Sequence, residues 1–142
     1  MRATVVRRAG NDTVRFALPA VARRCVGRRA LLLESADYRG NGVLVLLLHG
    51  DSSAPRPGPY PVTLLGDSTT PRGANVAVRY MIRDAAYGYA LDRGTVELTA
   101  VRGSFTARVT GDGVEAATQV SLAAEYDRVP LAADSVPCRY QP

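Results

Sequence analysis

Lysine and tryptophan are absent from the sequence, histidine occurs once, and cysteine and phenylalanine occur twice each. Each scarcity removes a class of chemistry. A lone histidine, His49, and two widely separated cysteines, Cys25 and Cys138, cannot together supply four zinc ligands, and no C-x-x-C redox spacing is present. Only oxygen ligands remain for a metal. Asp51, Asp67, Asp84, Asp92 and Asp112 all fall in or near predicted turns, where aspartate ordinarily caps the backbone, and no EF-hand spacing occurs. No metal or cofactor is expected.

Long apolar runs are missing too: the longest, Val43 to Leu48, is far short of the ~18 residues of a transmembrane helix. No membrane span is expected. Phe16 to Ala22 is too short for a secretory core and contains Pro19, and Ala22-Arg23-Arg24 before Cys25 lacks a lipoprotein signal's small side chains. Two settings follow. Either the protein is cytoplasmic, or the chain is a mature extracytoplasmic region (periplasmic, cell-surface or secreted) whose leader Met1 replaces. The cysteines bear on this choice: a Cys25–Cys138 disulfide would tie the polar C-terminal segment to an early strand, whereas a reducing cytosol would leave two buried thiols. The bridge is the expected state.

With no lysine, all 18 basic residues are arginine, which reflects a GC-rich, bacterial-type coding bias. Their distribution is uneven. The first thirty residues hold eight arginines against one acid, Asp12, and the remainder hold ten against twelve acids. Arg7, Arg8, Arg23, Arg24, Arg28 and Arg29 are therefore candidate anion-binding residues, for phosphate, an acidic glycan or nucleic acid. The alternative is a solvated or ion-paired strand face, because neighbouring strand residues point to opposite sides. Two phenylalanines and no tryptophan leave no stacking platform of the RNA-binding type, so nucleic acid is the least expected of these ligands.

What is plentiful is alternation. Thr13–Leu18, Asn75–Arg83, Thr95–Val101, Ser104–Thr110 and Glu115–Tyr126 each place apolar residues at every second position, the mark of half-buried antiparallel strands. In Asn75–Arg83 the inward set is Val76, Val78, Tyr80 and Ile82, with Asn75, Arg79 and Arg83 outward. Leu31–Leu33 and Val43–Leu48 are apolar on both faces and read as covered central strands. Breaks at Asn11-Asp12, Arg39–Gly42, Asp92-Arg93-Gly94, Arg102-Gly103 and Gly111-Asp112-Gly113 read as turns. Residues 50–61, with Pro55, Pro57, Pro59 and Pro61, read as a long proline-stiffened loop outside any sheet interior. Val114–Tyr126 is the one place where helix competes, and its β-branched content favours strand. The expectation is one domain over residues 1–142. It is an all-β antiparallel sandwich or closed barrel of roughly 8–10 strands, with arginine-rich strands in residues 1–30.

Three motifs bear on catalysis and binding. Val43–Gly50 resembles the strand and His-Gly turn of an α/β-hydrolase oxyanion hole, but the Gly-x-Ser-x-Gly elbow and a second histidine are absent. His49 is expected instead at a strand end with a solvent or backbone partner. Glu34, Glu97, Glu115 and Glu125 could pair for glycoside chemistry only if the fold brought two together, and three of them fall on outward faces. Tyr87-Gly88-Tyr89, near Tyr80, offers either a stacking surface for a sugar or partner, or packing at a strand edge eased by Gly88. No catalytic motif results, so a non-enzymatic module is expected.

Leu91-Asp92-Arg93-Gly94-Thr95-Val96-Glu97-Leu98-Thr99 followed by Gly103-Ser104-Phe105-Thr106-Ala107 resembles a pattern of small secreted bacterial β-rich domains, many of them lipoproteins of unknown function. The resemblance covers about a fifth of the chain. It implies an extracytoplasmic, non-enzymatic β-sandwich, while the residues before Cys25 leave lipid attachment unimplied. Such a module would bind a protein partner, or copies of itself, through loops or an exposed strand edge.

Overall fold

The computed structural model describes residues 1–50, 52–64 and 72–138. Ten strands follow in order: β1 (Arg2–Arg7), β2 (Asp12–Ala17), β3 (Val21–Cys25), β4 (Ala30–Ala36), β5 (Gly42–Leu48), β6 (Gly58–Pro61), β7 (Gly73–Ile82), β8 (Ala85–Val101), β9 (Ser104–Glu115) and β10 (Thr118–Val136). A 3-10 turn at Ala9–Asn11 is the only helical element among the described residues. Val114–Tyr126, for which helix is the competing expectation, is the end of β9, a tight turn and the start of β10.

One sheet runs β6-β8-β9-β10-β1-β2 and the other β10-β3-β4-β5-β7-β8. The two long strands serve both sheets. β8 pairs with β7 over Ala85–Ala90 and with β9 from Leu91 onward, while β10 pairs with β9 and β1 before its last third meets β3. Every pairing between named strands is antiparallel except β3 with β10, a short parallel contact broken by a register shift. Of the two expected architectures, the arrangement fits the sandwich, two sheets joined through β8 and β10.

The alternation of apolar residues becomes the interior. Val96 and Leu98, Phe105, Ala107 and Val109, and Val120, Leu122, Ala124 and Tyr126 are buried from the first sheet. Leu31, Leu33, Val43, Val45, Leu47, Val76, Val78 and Tyr80 meet them from the second. The strands that are apolar on both faces have a second use. Ala30 and Leu46, with Leu32 and Leu48 beside them, form an outer cluster against Val136 and the Cys25–Cys138 bridge. The disulfide thus lays the C-terminal segment over the outside of the second sheet.

Three expectations are corrected. Asp92-Arg93-Gly94 and Gly111-Asp112-Gly113 are not turns: they lie inside β8 and β9, where β8 passes from one sheet to the other through a register shift between Leu91 and Arg93. Gly94, at φ +137°, and Gly111 let the two backbones approach there. A Cβ on Gly111 would lie 2.4 Å from the Arg93 carbonyl oxygen. Glycine thus marks a corner in a continuous ladder.

The proline-rich stretch is not wholly a loop, since Gly58–Pro61 forms β6 at a sheet edge, where a proline facing the open side costs no ladder hydrogen bond. Asn75, expected outward, is buried, and its Nδ2 donates to the Thr63 carbonyl, Thr63 Oγ1 and the Leu64 carbonyl at 3.1–3.2 Å. A buried amide is retained because the connecting segment supplies its acceptors.

Candidate functional site: a cationic cleft at the β3–β4 turn

The register Arg24↔Leu31 makes the hairpin between β3 and β4 a wide turn that carries Arg28 and Arg29. Arg24 shares its strand face with buried Ala22 and so leans over the open end of the sandwich, and Arg23 and Cys25 take the outer face. Next to this turn the chain leaves β5. The backbone N–H of His49 donates to the Arg29 carbonyl at 3.1 Å and fixes the two ends together.

These elements enclose a cleft of about 290 Å³. Its rim carries the guanidinium groups of Arg24, Arg28 and Arg29 together with the His49 ring, its floor is Leu31, Phe105 and Leu131, and Ser53–Pro55 forms one side. No carboxylate lines it among the described residues. Arg28 is steadied from the bridge side, donating through Nη1 to the Cys138 carbonyl at 3.3 Å. His49 Nδ1 lies 2.8 Å from the Ser52 carbonyl, an acceptor only, so Nδ1 carries the hydrogen and Nε2 is the ring's remaining polar atom. Three guanidinium groups over an apolar floor can hold a planar or tetrahedral anion by paired N–H donors while a less polar body rests below.

The other arginines of the expected set lie elsewhere. Arg23 is neutralised on the outer face by Glu34, 3.5 Å away, and by Asp134. Arg7 pairs with Asp12 at 3.8 Å and lies over the Tyr87 ring, 4.9 Å from its centroid. Arg8 is exposed at the turn after β1. Arg7 sits opposite Val120 near the start of β10, whereas Leu131, on the cleft floor, lies in its last third. Of the six candidates, then, three converge.

Tyr89 is buried, and Tyr87 is half-buried under Arg7. Both pack on Tyr80, with ring centroids 5.6 Å apart for Tyr87 and 6.2 Å for Tyr89. The surface alternative for this pair is therefore corrected to a core trio, because Tyr87 and Tyr89, two residues apart on β8, share the face on which Tyr80 lies directly opposite Tyr87. Among the glutamates, Glu97 and Glu125 flank Arg108 across three strands, Arg108 and Glu125 being 3.3 Å apart. Glu125 is the ion-pair partner of that cation and Glu97 lies opposite it across the ladder, all three exposed. Asp51 and Asp67 lie outside the described residues.

His49, Phe105 and Leu131 join the cleft without any local signal, since only the pairing of β3, β5, β9 and β10 brings them to one end. A strand-end histidine beside an arginine-rich hairpin was the nearest available hint. Compared with known proteins, the chain matches no family model, no curated protein and no solved structure.

Proposed function

We propose that the chain is a non-enzymatic, extracytoplasmic binding domain for a ligand with a phosphate, sulfate or carboxylate group, taken up in the cleft of Arg24, Arg28 and Arg29. The observation that carries this reading is the convergence of three arginines and His49 on one concavity with an apolar floor and no described carboxylate. An acidic sugar suits both parts, its anionic group on the guanidinium rim and its ring over Leu31 and Phe105. The extracytoplasmic setting rests on the Cys25–Cys138 bridge. No helix among the described residues is long and apolar enough to cross a membrane. The non-enzymatic reading rests on the sequence, which holds a single histidine and no Gly-x-Ser-x-Gly elbow.

The test is isothermal titration of a sulfated disaccharide, and of inorganic phosphate, into the oxidised protein over a salt series. Binding should weaken as salt rises. Arg28→Ala and Arg24→Ala should each cost about 1.5–3 kcal/mol, the range of a hydrogen bond to a charged group. Arg8→Ala should leave the affinity unchanged. Equal affinity in the Arg24→Ala/Arg28→Ala double variant, or no binding of either anion at low salt, would sink the proposal.

A further inference from the structure

β6 and β2 are the terminal strands of the sheet order, and their outer edges differ. The 2.9 Å bond from Val62 N–H to the Gly94 carbonyl sets the phase of the β6–β8 ladder and turns Gly58 and Tyr60 toward β8. Pro59 and Pro61 therefore face the other side, where they offer no N–H to a further strand. At β2 the phase is fixed by Met1 and Leu18, which exchange bonds of 2.8 and 2.9 Å. Alternation from that pair directs the backbone groups of Asp12, Val14 and Phe16 at β1, and those of Thr13, Arg15 and Ala17 outward. Neither a proline nor a register shift interrupts this edge.

The same edge borders a cleft of about 490 Å³, whose far wall is the β4–β5 turn at Tyr38–Asn41 and the β7–β8 turn at Met81–Arg83. Arg15, Arg39 and Arg83 line it, and no described carboxylate does. Two acids close to it in the chain are engaged: Asp12 pairs with Arg7, and Asp37 accepts the amides of Arg39 and Asn41 at 2.9 and 2.8 Å. Asp84 follows Arg83 at the hairpin tip, outside the lining. Tyr38 stands 92% exposed at the rim, with the Arg39 guanidinium over its ring.

We infer that the β2 edge and this cleft form a docking site for an extended acidic segment of a partner polypeptide, which adds to β2 as a further strand. Outward N–H and C=O groups on Thr13, Arg15 and Ala17 give the ladder, and the three arginines select the sequence. A second copy of β2 is a poor occupant, because antiparallel pairing about Arg15 sets like charges opposite each other. The fitting segment alternates acid and apolar residues, its carboxylates on the Arg15 side and its apolar side chains beside Val14 and Phe16. This site uses none of the arginines of the cleft at the β3–β4 turn, so the two readings stand or fall separately.

The experiment is fluorescence-anisotropy binding of an end-capped octapeptide alternating glutamate and valine, with a lysine–valine octapeptide and an octadeoxythymidylate as controls. The glutamate peptide should bind and the lysine peptide should not. Arg39→Ala/Arg83→Ala should weaken binding about tenfold or more, and Arg28→Ala should not change it. Thr13→Pro removes one outward N–H while sparing the β1 ladder, and should weaken peptide binding while leaving any oligonucleotide binding intact. Independently of that variant's folding, hydrogen exchange on the wild-type protein should show the amides of Thr13, Arg15 and Ala17 becoming protected when peptide is added. Unchanged exchange at those three amides overturns strand addition, even if the peptide binds. Oligonucleotide binding as tight as that of the peptide overturns the acidic-polypeptide assignment. No binding of the glutamate peptide overturns both.

Discussion

The hydroxyl of Tyr126 donates a 3.0 Å hydrogen bond to the backbone carbonyl of Val43. Tyr126 lies on β10 in the first sheet and Val43 on β5 in the second, so the bond crosses the buried interior. Burial pushes the phenol pKa up, which keeps the hydroxyl protonated and donating. Tyr126→Phe keeps the ring and removes the donor. It should lower stability by about 1 kcal/mol, read as a shifted urea midpoint with an unchanged slope.

The corner of β8 and β9 makes a sharper demand. A Cβ on Gly111 would lie 2.4 Å from the Arg93 carbonyl and 2.9 Å from Leu91 Cδ1, whereas a Cβ on Gly103 meets nothing within 4 Å and faces only a positive φ of +72°. Gly103→Ala should cost about 1–2 kcal/mol, the left-handed penalty alone. Gly111→Ala should cost more, about 3 kcal/mol or above, because two backbones must separate. Paired thermal melts would check the order, and equal losses would contradict the corner.

The hairpin joining β9 to β10 has room for improvement. Thr118 pairs with Glu115, which leaves a two-residue loop of Ala116 and Ala117 at φ +44° and +62°. Alanine pays a steric penalty in this region, while Asn-Gly is the pair that such turns favour. Ala116→Asn with Ala117→Gly should therefore raise stability by about 1–2 kcal/mol, measured as a higher urea midpoint.

Acid sensitivity has an identifiable contributor in Asp112. The 2.6 Å hydrogen bond from Ser121 Oγ lowers its carboxyl pKa against the opposing effect of partial burial, and Arg93 at 3.2 Å adds to the lowering. The unfolded chain then binds a proton more readily than the folded one, so this contribution is complete above the unfolded carboxylate pKa of ~3.9 and fades as pH falls through the lower folded value. Ser121→Ala should lower stability near neutral pH, and the difference from wild type should shrink between about pH 5 and pH 2. Urea titrations across that range would show it, and a gap that widens in acid would contradict the sign.

The apolar faces of β7, β8, β9 and β10 were legible because a strand buries every second residue, as Val96 and Leu98, Phe105 and Ala107, and Val120 and Leu122 do. The cysteine pair was legible because a bridge is the plainest use for Cys138 in a polar C-terminal segment. What the sequence hid depends on distance. Asp92-Arg93-Gly94 has turn chemistry, and only its register against Gly111–Gly113 makes it a corner. Asn75 reads as outward until Thr63 and Leu64 are seen to supply its acceptors. Arg24, Arg28 and Arg29 could be picked out as cationic, but their separation from Arg7 and Arg8 follows from β10 carrying the two groups at different points of its length, and that of Arg23 from its place on the outer face of β3 beside Glu34 and Asp134.

Cys25 and Cys138 stand 113 residues apart and enclose every turn from β3 to β10. Arg102, exposed in the β8–β9 turn, lies between them. Tryptic cleavage there would leave one cysteine on each fragment, and the fragments would travel together until the bridge was reduced. The molecule can thus be cut once without being divided: continuity of the backbone and integrity of the particle are separate properties, and a nicked form would betray itself only on a reducing gel.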